Sequence, residues 1–455
     1  MGVFRWTWFP LLFVACDPTV FGDLEDQAPT RVVEAPDDYP VIGYGRGLAA
    51  YKGTISGTTV SRLAVNAGEN TPFVVYPGWT GTNVDLSVPL LEGCDRSGEC
   101  DTGFGFSLIG IPRWRSGLAD EGDLCIIQTA PASASLEVRC ETTSLNEKFS
   151  TMGGERVGAS GAALPLGHIA GVAILGAPDG NARRGLLYRL PDAARPMELV
   201  IPPDTVAEGG RLGESLAVFA IDSNTAIVAA GAPGVGRVVV ASIASDGMGG
   251  IEATVRACVD NPAGDFGAAV ALEDVTGDDQ PELFVGSAVS AEGRLEGVEM
   301  YPGTGLPNPG ACAAWGEAPV TLGCPDGASG LSCDGAGFGG ALATGNVNGD
   351  GFFDLIVGAP LVDVDGESNA GAVFVLPGSA AGIDTAAAVG LTLSSPNSGD
   401  ELGRSVAALP TVLNGPPRHE PVAGVPGRDS AAVFLCSGLP EDTPGAPNLR
   451  ERCLP

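Results

Sequence analysis

Gly337-Phe338-Gly339, then Asn346-Val347-Asn348-Gly349-Asp350-Gly351-Phe352-Phe353-Asp354-Leu355-Ile356-Val357-Gly358-Ala359-Pro360, is the stretch that decides the fold. Its outline recurs along the chain. Arg211-Leu212-Gly213 leads to Gly231-Ala232-Pro233, and Asp265-Phe266-Gly267 leads to Gly286-Ser287-Ala288. Gly176-Ala177-Pro178 and Gly424-Val425-Pro426 are further copies. Aligned on the glycine that opens each unit, the copies start at Gly47, Gly105, Gly158, Gly213, Gly267, Gly339 and Gly403, in steps of 53 to 72 residues. Units one and two, with Asn66-Ala67-Gly68 and Thr129-Ala130-Pro131 at the second landmark, are degenerate. Such self-similarity overrides a residue-by-residue guess, because each unit must bury its face against its neighbours.

Within a unit the apolar runs are short: Asp354–Val357, Ala372–Leu376 and Leu391–Leu393 in unit six, Ala226–Ala230 and Val238–Val240 in unit four. Runs of this kind, bounded by Gly, Pro, Asp and Asn, are strands with tight turns. Outside the N-terminus no long window carries a helical stripe. Four strands per unit and seven units predict an all-β, seven-bladed β-propeller with four-stranded antiparallel blades. The blades fall at about 43–93, 102–150, 155–203, 210–260, 264–322, 336–396 and 400–438, within a propeller spanning 39–440. Unit seven has no fourth strand after Cys436, and an open sheet edge is a liability. A segment before the first blade, Arg31–Glu34 or Tyr39–Ile42, is expected to supply it.

On these residues the chain resembles FG-GAP repeat proteins, whose units build the integrin α-subunit propeller. The resemblance covers roughly residues 40–440 and is carried by units three to seven. It implies a Ca²⁺-binding hairpin between the first two strands of a blade. In unit six, Asn346, Asn348, Asp350 and Asp354 stand at positions 1, 3, 5 and 9, with the Phe352 carbonyl at position 7. Hard oxygens at that spacing wrap one Ca²⁺ ion, although the twelfth-position Glu of an EF-hand is absent. Unit five offers Asp274, Thr276, Asp278, Gln280 and Glu282, with Gly277 moved and Asp279 where glycine is usual. The bland alternative is a polar turn that uses Asn, Asp and Gly for backbone reasons. Asp222-Ser223-Asn224, Leu166-Gly167-His168 and Leu413-Asn414-Gly415 are plain turns, and Asp363–Glu367 is a solvated acidic loop.

The N-terminus has one charge at Arg5, an apolar stretch from Trp6 to Ala15, and Cys16. That is the layout of an export signal. Val14-Ala15-Cys16 resembles a bacterial lipobox, with Phe13 where Leu is usual, which implies lipidation at Cys16; an ordinary signal peptide cut elsewhere is the alternative. Residues 1–16 are therefore read as the signal, 17–38 as an acidic flexible tether and 441–455 as a tail. The eleven cysteines, less Cys16, fall into Cys94–Cys100, Cys125–Cys140, Cys258–Cys312, Cys324–Cys333 and Cys436–Cys453. Disulfides place a chain in an oxidising compartment. Zinc is the rival reading, but no Cys-x2-Cys pair occurs and the histidines are His168 and His419.

A formal charge of −31 repels phosphate backbones and excludes nucleic acid. His168 in a turn and His419 in a Pro-rich loop have no nucleophile context, so no catalytic residues are assigned. The expected function is recognition of an envelope or extracellular protein or glycan by a monomer held to a membrane through its lipid alone. Trp79 and Trp114–Arg115 are candidate contacts, or else packing between blades. A polysaccharide lyase or hydrolase on the same scaffold, and a purely architectural envelope lipoprotein, are the alternatives.

Overall fold

The computed structural model describes residues 30–34, 48–55, 58–66, 73–76, 100–101, 107–111, 123–129, 136–140, 159–163, 173–189, 200–202, 205–245, 251–262, 265–287, 297–310, 312–325, 331, 335–410 and 418–434. They are all-β. The strands are β1 (Thr30–Glu34); β2 (Leu48–Ile55), β3 (Thr58–Asn66) and β4 (Phe73–Tyr76); β5 (Cys100–Asp101), β6 (Ser107–Ile111), β7 (Asp123–Thr129) and β8 (Leu136–Cys140); β9 (Ser160–Ala163), β10 (Ala173–Ala177) and β11 (Leu186–Arg189). There follow β12 (Ser215–Ala220), β13 (Thr225–Ala232), β14 (Arg237–Ser245) and β15 (Ile251–Asp260); β16 (Ala269–Glu273), β17 (Glu282–Ser287), β18 (Gly297–Tyr301) and β19 (Val320–Leu322). Last come β20 (Ala341–Gly345), β21 (Asp354–Ala359), β22 (Ala372–Leu376) and β23 (Val389–Leu391); β24 (Val406–Pro410), β25 (His419–Val425) and β26 (Ser430–Phe434).

These strands form seven antiparallel sheets, five of them four-stranded. The sheets β2–β4 and β9–β11 show three strands among the described residues. Each sheet meets the next through its innermost strand. β2 touches β6, β6 touches β9, and the contacts continue through β12, β16, β20 and β24 back to β2. A cycle of inner strands with sheets standing outward is a propeller-like arrangement.

The core lies between sheets, which explains why the runs are continuously apolar instead of alternating. In unit six Leu355 and Val357 pack with Phe284, Val298 and Met300 of the previous sheet. Ile356, Val373 and Val375 pack with Ala423, Val425 and Phe434 of the next. A strand buried on both faces needs apolar residues at every position.

The repeat landmarks are the parts of this packing. The residue before the opening glycine of each of units four to seven is a wedge between two sheets: Leu212, Phe266, Phe338 and Leu402, all buried. The following glycine has a left-handed φ in each case: 88° at Gly213, 89° at Gly267, 99° at Gly339 and 90° at Gly403. Its N–H donates to the Gly-Ala-Pro glycine carbonyl of its own sheet, as in Gly339 N to Gly358 O at 3.2 Å. Its own carbonyl lies against the Gly-Ala-Pro glycine of the preceding sheet. A Cβ on Gly176, Gly231, Gly286 or Gly358 would overlap the carbonyl oxygen of Gly213, Gly267, Gly339 or Gly403. Ser160 and Ser215 donate to the same carbonyls, of Gly213 at 2.6 Å and Gly267 at 2.8 Å. One glycine joins two strands within a sheet and one joins two sheets, so the spacing between them is a fold constraint.

The last sheet runs β1-β26-β25-β24. Its outer strand is Thr30–Glu34, paired antiparallel with Ser430–Phe434. Of the two segments expected to close this sheet, Arg31–Glu34, inside the 17–38 stretch read as a tether, is the one seen paired. Tyr39–Ile42, the alternative closing strand, lies outside the described residues. Deleting residues 30–34 exposes the β26 edge. The shortened chain is expected to melt several degrees lower and to aggregate, read by thermal denaturation with light scattering; an unchanged melt would show that the closure is dispensable.

The disulfide Cys258–Cys312 is formed, with Cα atoms 5.0 Å apart. It pins an insertion of unit five along the outer edge of β15. Cys258 N–H donates to Ala313 O, Gly310 N–H to Val255 O, and the Arg256 Nε–H to Pro307 O. Those residues lengthen unit five, and they cover an edge strand. Cys125 and Cys140 stand opposite one another across β7 and β8. Cys324 is disulfide-bonded, its partner lying outside the described residues. The side chains of Cys16, Cys94, Cys100, Cys125, Cys140, Cys333, Cys436 and Cys453 lie outside them too, as do Trp79, Trp114, Arg115 and His168.

Candidate functional site

Antiparallel sheets divide the loops between two ends. At one end lie the loops after Gly-Ala-Pro and the crossings from sheet to sheet. At the other lie the hairpins that join the first two strands of each sheet, among them the calcium candidates.

The hairpins of units five and six are wired alike. Position 1 caps the turn: Asn346 Oδ1 accepts Gly349 N–H at 2.6 Å, and Asp274 Oδ1 accepts Gly277 N–H at 2.7 Å. Position 5 caps its exit: Asp350 Oδ1 accepts Phe352 N–H at 2.8 Å, and Asp278 Oδ1 accepts Gln280 N–H at 2.9 Å. Asn348 Oδ1 accepts Asp350 N–H at 3.0 Å, and Thr276 Oγ1 donates weakly to Asp274. Left-handed φ values coincide as well, 75° at Gly277 with 78° at Gly349, and 63° at Asp279 with 100° at Gly351. Asp279 thus adopts the conformation that glycine supplies in unit six, and Gly277 has not moved. Side chains of Asx type cap turns in this way without a ligand.

The position-9 carboxylate turns away from the hairpin tip. Asp354 is fully buried. Its Oδ2 accepts Val347 N–H at 2.7 Å and Asn348 N–H at 3.3 Å, and its Oδ1 accepts Gly378 N–H at 3.0 Å, tying the loop after β22 to the hairpin. Glu282 repeats the device with Val275 N–H at 3.0 Å and Gly303 N–H at 3.4 Å. Burial pushes the Asp354 carboxyl up to about 7, against the pull of those amides and with the help of the nearby Asp350 charge. Burial likewise raises Glu282, and Asp278 and Asp274 add to it. Glu273, bonded to Thr344 of the next sheet, is pushed up to about 7, first by burial.

Tested against calcium, the two hairpins differ. Among the described residues no three His, Cys, Asp or Glu side chains stand together as a metal-holding group. At the ligand positions unit five keeps three carboxylates, Asp274, Asp278 and Glu282, and the first two oppose the charge on the third. Unit six has two, and its neighbour is cationic: the Arg418 guanidinium packs on Gly349, where a Cβ would overlap Nε. His419 is also relocated. It opens β25 instead of lying in a loop, and its Nδ1 accepts the Asn346 N–H at 3.1 Å. Neither Arg418 nor His419 was legible as a partner of this hairpin, because seventy residues of sequence separate them from it. Asp222-Ser223-Asn224 is a turn, with Asn224 N–H donating to Asp222 Oδ1.

The Gly-Ala-Pro end carries loops of unequal length. In units four and seven they are tight 3₁₀ turns, Pro233–Val235 and Pro426–Arg428. Unit six inserts a longer loop, in which Asp363 Oδ1 accepts Asn369 N–H and Glu367 Oε2 accepts Ser398 N–H and Oγ–H. In unit three, Asn181, Ala182 and Arg183 have φ of 50°, 57° and 61° in succession. Left-handed backbone costs an L-residue about 1–2 kcal/mol. Arg183, Arg184 and Arg211 cluster there, paired with Asp179, Glu208 and Glu214. The inner strands β12, β16, β20 and β24 are mostly Ala, Val and Leu, and Glu273 is the acid on them.

Residues 338–376 match the FG-GAP repeat family model. They run from the wedge Phe338 through β20, β21 and β22. No curated protein matches the sequence. Among solved structures, α-L-arabinofuranosidase from Lactobacillus brevis is similar at 13% identity, over 58% of this chain and 86% of that one, with a TM-score of 0.29. An FG-GAP repeat with a disulfide points to an extracellular or envelope protein. Among the described residues no helix is long and apolar enough to cross a membrane.

Proposed function

We propose that the chain is a seven-bladed propeller that works as a recognition module at the cell envelope, binding a protein or a glycan through its Gly-Ala-Pro end. What supports this most is the contrast between parts. The sheets repeat one wedge and one pair of glycines, whereas the loops they carry differ in length and chemistry from unit to unit. Variable loops on a rigid scaffold are where binding residues concentrate. The unit-three loop adds strained backbone, which gathers at functional sites. Lipidation at Cys16 and a tether ahead of Thr30 would hold the module at a membrane. Calcium, in this reading, would be held at the unit-five hairpin only once Asp274 and Glu282 leave the amides that they now accept from and join Asp278; no chemical step passes through it.

The test is a screen of the immobilised chain against envelope glycans and proteins, beside an Arg183→Glu, Arg184→Glu variant. Arg183 is exposed, whereas Arg184 is half-buried and donates to Val206 O at 3.0 Å, so Arg183→Glu alone serves as the variant that folds; both variants are expected to lose at least tenfold in affinity for the ligand found. Release of reducing or unsaturated ends from a polysaccharide would instead favour the glycan-cleaving reading.

A further inference from the structure

We propose that Arg418 and His419 close the unit-six hairpin in place of a metal ion, so that this hairpin is independent of calcium. The inference concerns a different hairpin from the one given calcium above and stands whether or not that one binds it.

Two contacts carry it. His419 and Asn346 exchange a reciprocal pair of bonds: His419 N–H donates to Asn346 O at 2.9 Å, and Asn346 N–H donates to His419 Nδ1 at 3.1 Å. Asn346 is the first position of the nine-residue loop, and the imidazole also packs on Phe353, ring centroids 5.8 Å apart. The next sheet therefore grips the hairpin at its base. The second contact is at its tip, where the Arg418 guanidinium lies on the Cα of Gly349, between Asn348 and Asp350. In unit five the equivalent glycine, Gly277, faces the Phe352 ring.

The chemistry follows from that exchange of neighbour. A guanidinium is always charged and only donates hydrogen bonds. The unit-six hairpin has one exposed carboxylate, Asp350, while Asp354 is committed to three backbone amides. A dication entering there would meet a fixed positive charge and would have to draw Asp354 off its amides. Unit five has an aromatic ring in place of the guanidinium and a third carboxylate, although Asp274 and Glu282 are likewise bonded to backbone amides.

The test uses the full chain and CaCl₂ alone as the probe, with melting followed in EDTA and in millimolar calcium. Asp350→Ala is expected to leave the wild-type calcium response unchanged, including a response of zero. Arg418→Ala is expected to melt a few degrees lower than wild type and to gain a calcium-dependent recovery, absent from Arg418→Ala, Asp350→Ala. A wild-type response that Asp350→Ala removes would overturn the proposal, and this arm decides it even if the Arg418 variants do not fold. Arg418→Ala melting as wild type, or losing stability without gaining a response, would also overturn it. A wild-type response removed by Asp278→Ala and not by Asp350→Ala supports the proposal and the calcium assignment together. No wild-type response at all supports the proposal and sinks that assignment.

Discussion

Gly358→Ala is expected to cost more than about 3 kcal/mol, the upper end of overpacking. The new methyl group has nowhere to go. It would overlap the Gly403 carbonyl, which belongs to backbone. Gly403 cannot yield, because its N–H is bonded to Gly424 O at 3.0 Å and its left-handed φ is set by the turn it makes. Gly231→Ala and Gly286→Ala meet the same obstacle at Gly267 and Gly339 and should behave alike. Gly323→Ala is the control: a Cβ there meets nothing within 4 Å, and its effect should stay within about 0.5 kcal/mol. Thermal and urea melts decide the matter. Should Gly358→Ala melt with the control, the sheet-to-sheet contact described here is wrong.

Asp354→Ala should be nearly as severe, about 3–5 kcal/mol, because it strips the acceptor from the amides of Val347, Asn348 and Gly378, and an unsatisfied buried amide costs about 1–3 kcal/mol. The residue also carries a pH signature. Its carboxyl is raised, first by burial, to about 7 in the folded chain from 3.8. The native state therefore holds a proton that the unfolded state has released. The contribution is present below pH 3.8 and is lost as pH rises through about 7. Urea midpoints of wild type should fall between pH 4 and 7 more steeply than those of the variant. Glu273, also at about 7, and growing repulsion at high net charge act in the same window. The difference between the two proteins isolates Asp354. Parallel pH profiles would mean that the group titrates as an ordinary carboxylate.

Much of the fold was legible in the residues. The Gly-x-Gly and Gly-Ala-Pro landmarks recur because each performs one local task that only glycine performs, a left-handed φ or a contact closer than a Cβ permits. The short apolar runs and the need for a closing strand before the first blade were readable for the same reason. Cys258 and Cys312 emerged as partners by elimination. TRVVE in β1 lies inside the stretch read as a tether and was also one of the two segments expected to close the last sheet; which of the two does so is a matter of pairing that spacing alone does not settle.

The candidate site was less legible. Oxygen side chains at positions 1, 3, 5 and 9 have two uses, a cation or the turn's own amides, and spacing is the same for both. Which use prevails depends on what stands next to the hairpin: Phe352 beside Gly277, Arg418 beside Gly349. Those neighbours come from the following sheet. Local sequence determined the hairpins, the strands and the repeat, because backbone conformation and two-sided burial are short-range demands. Only the tertiary structure decided that Asp354 faces inward and that a guanidinium sits at the unit-six tip, because burial and charge are set by chain that arrives from far along the sequence.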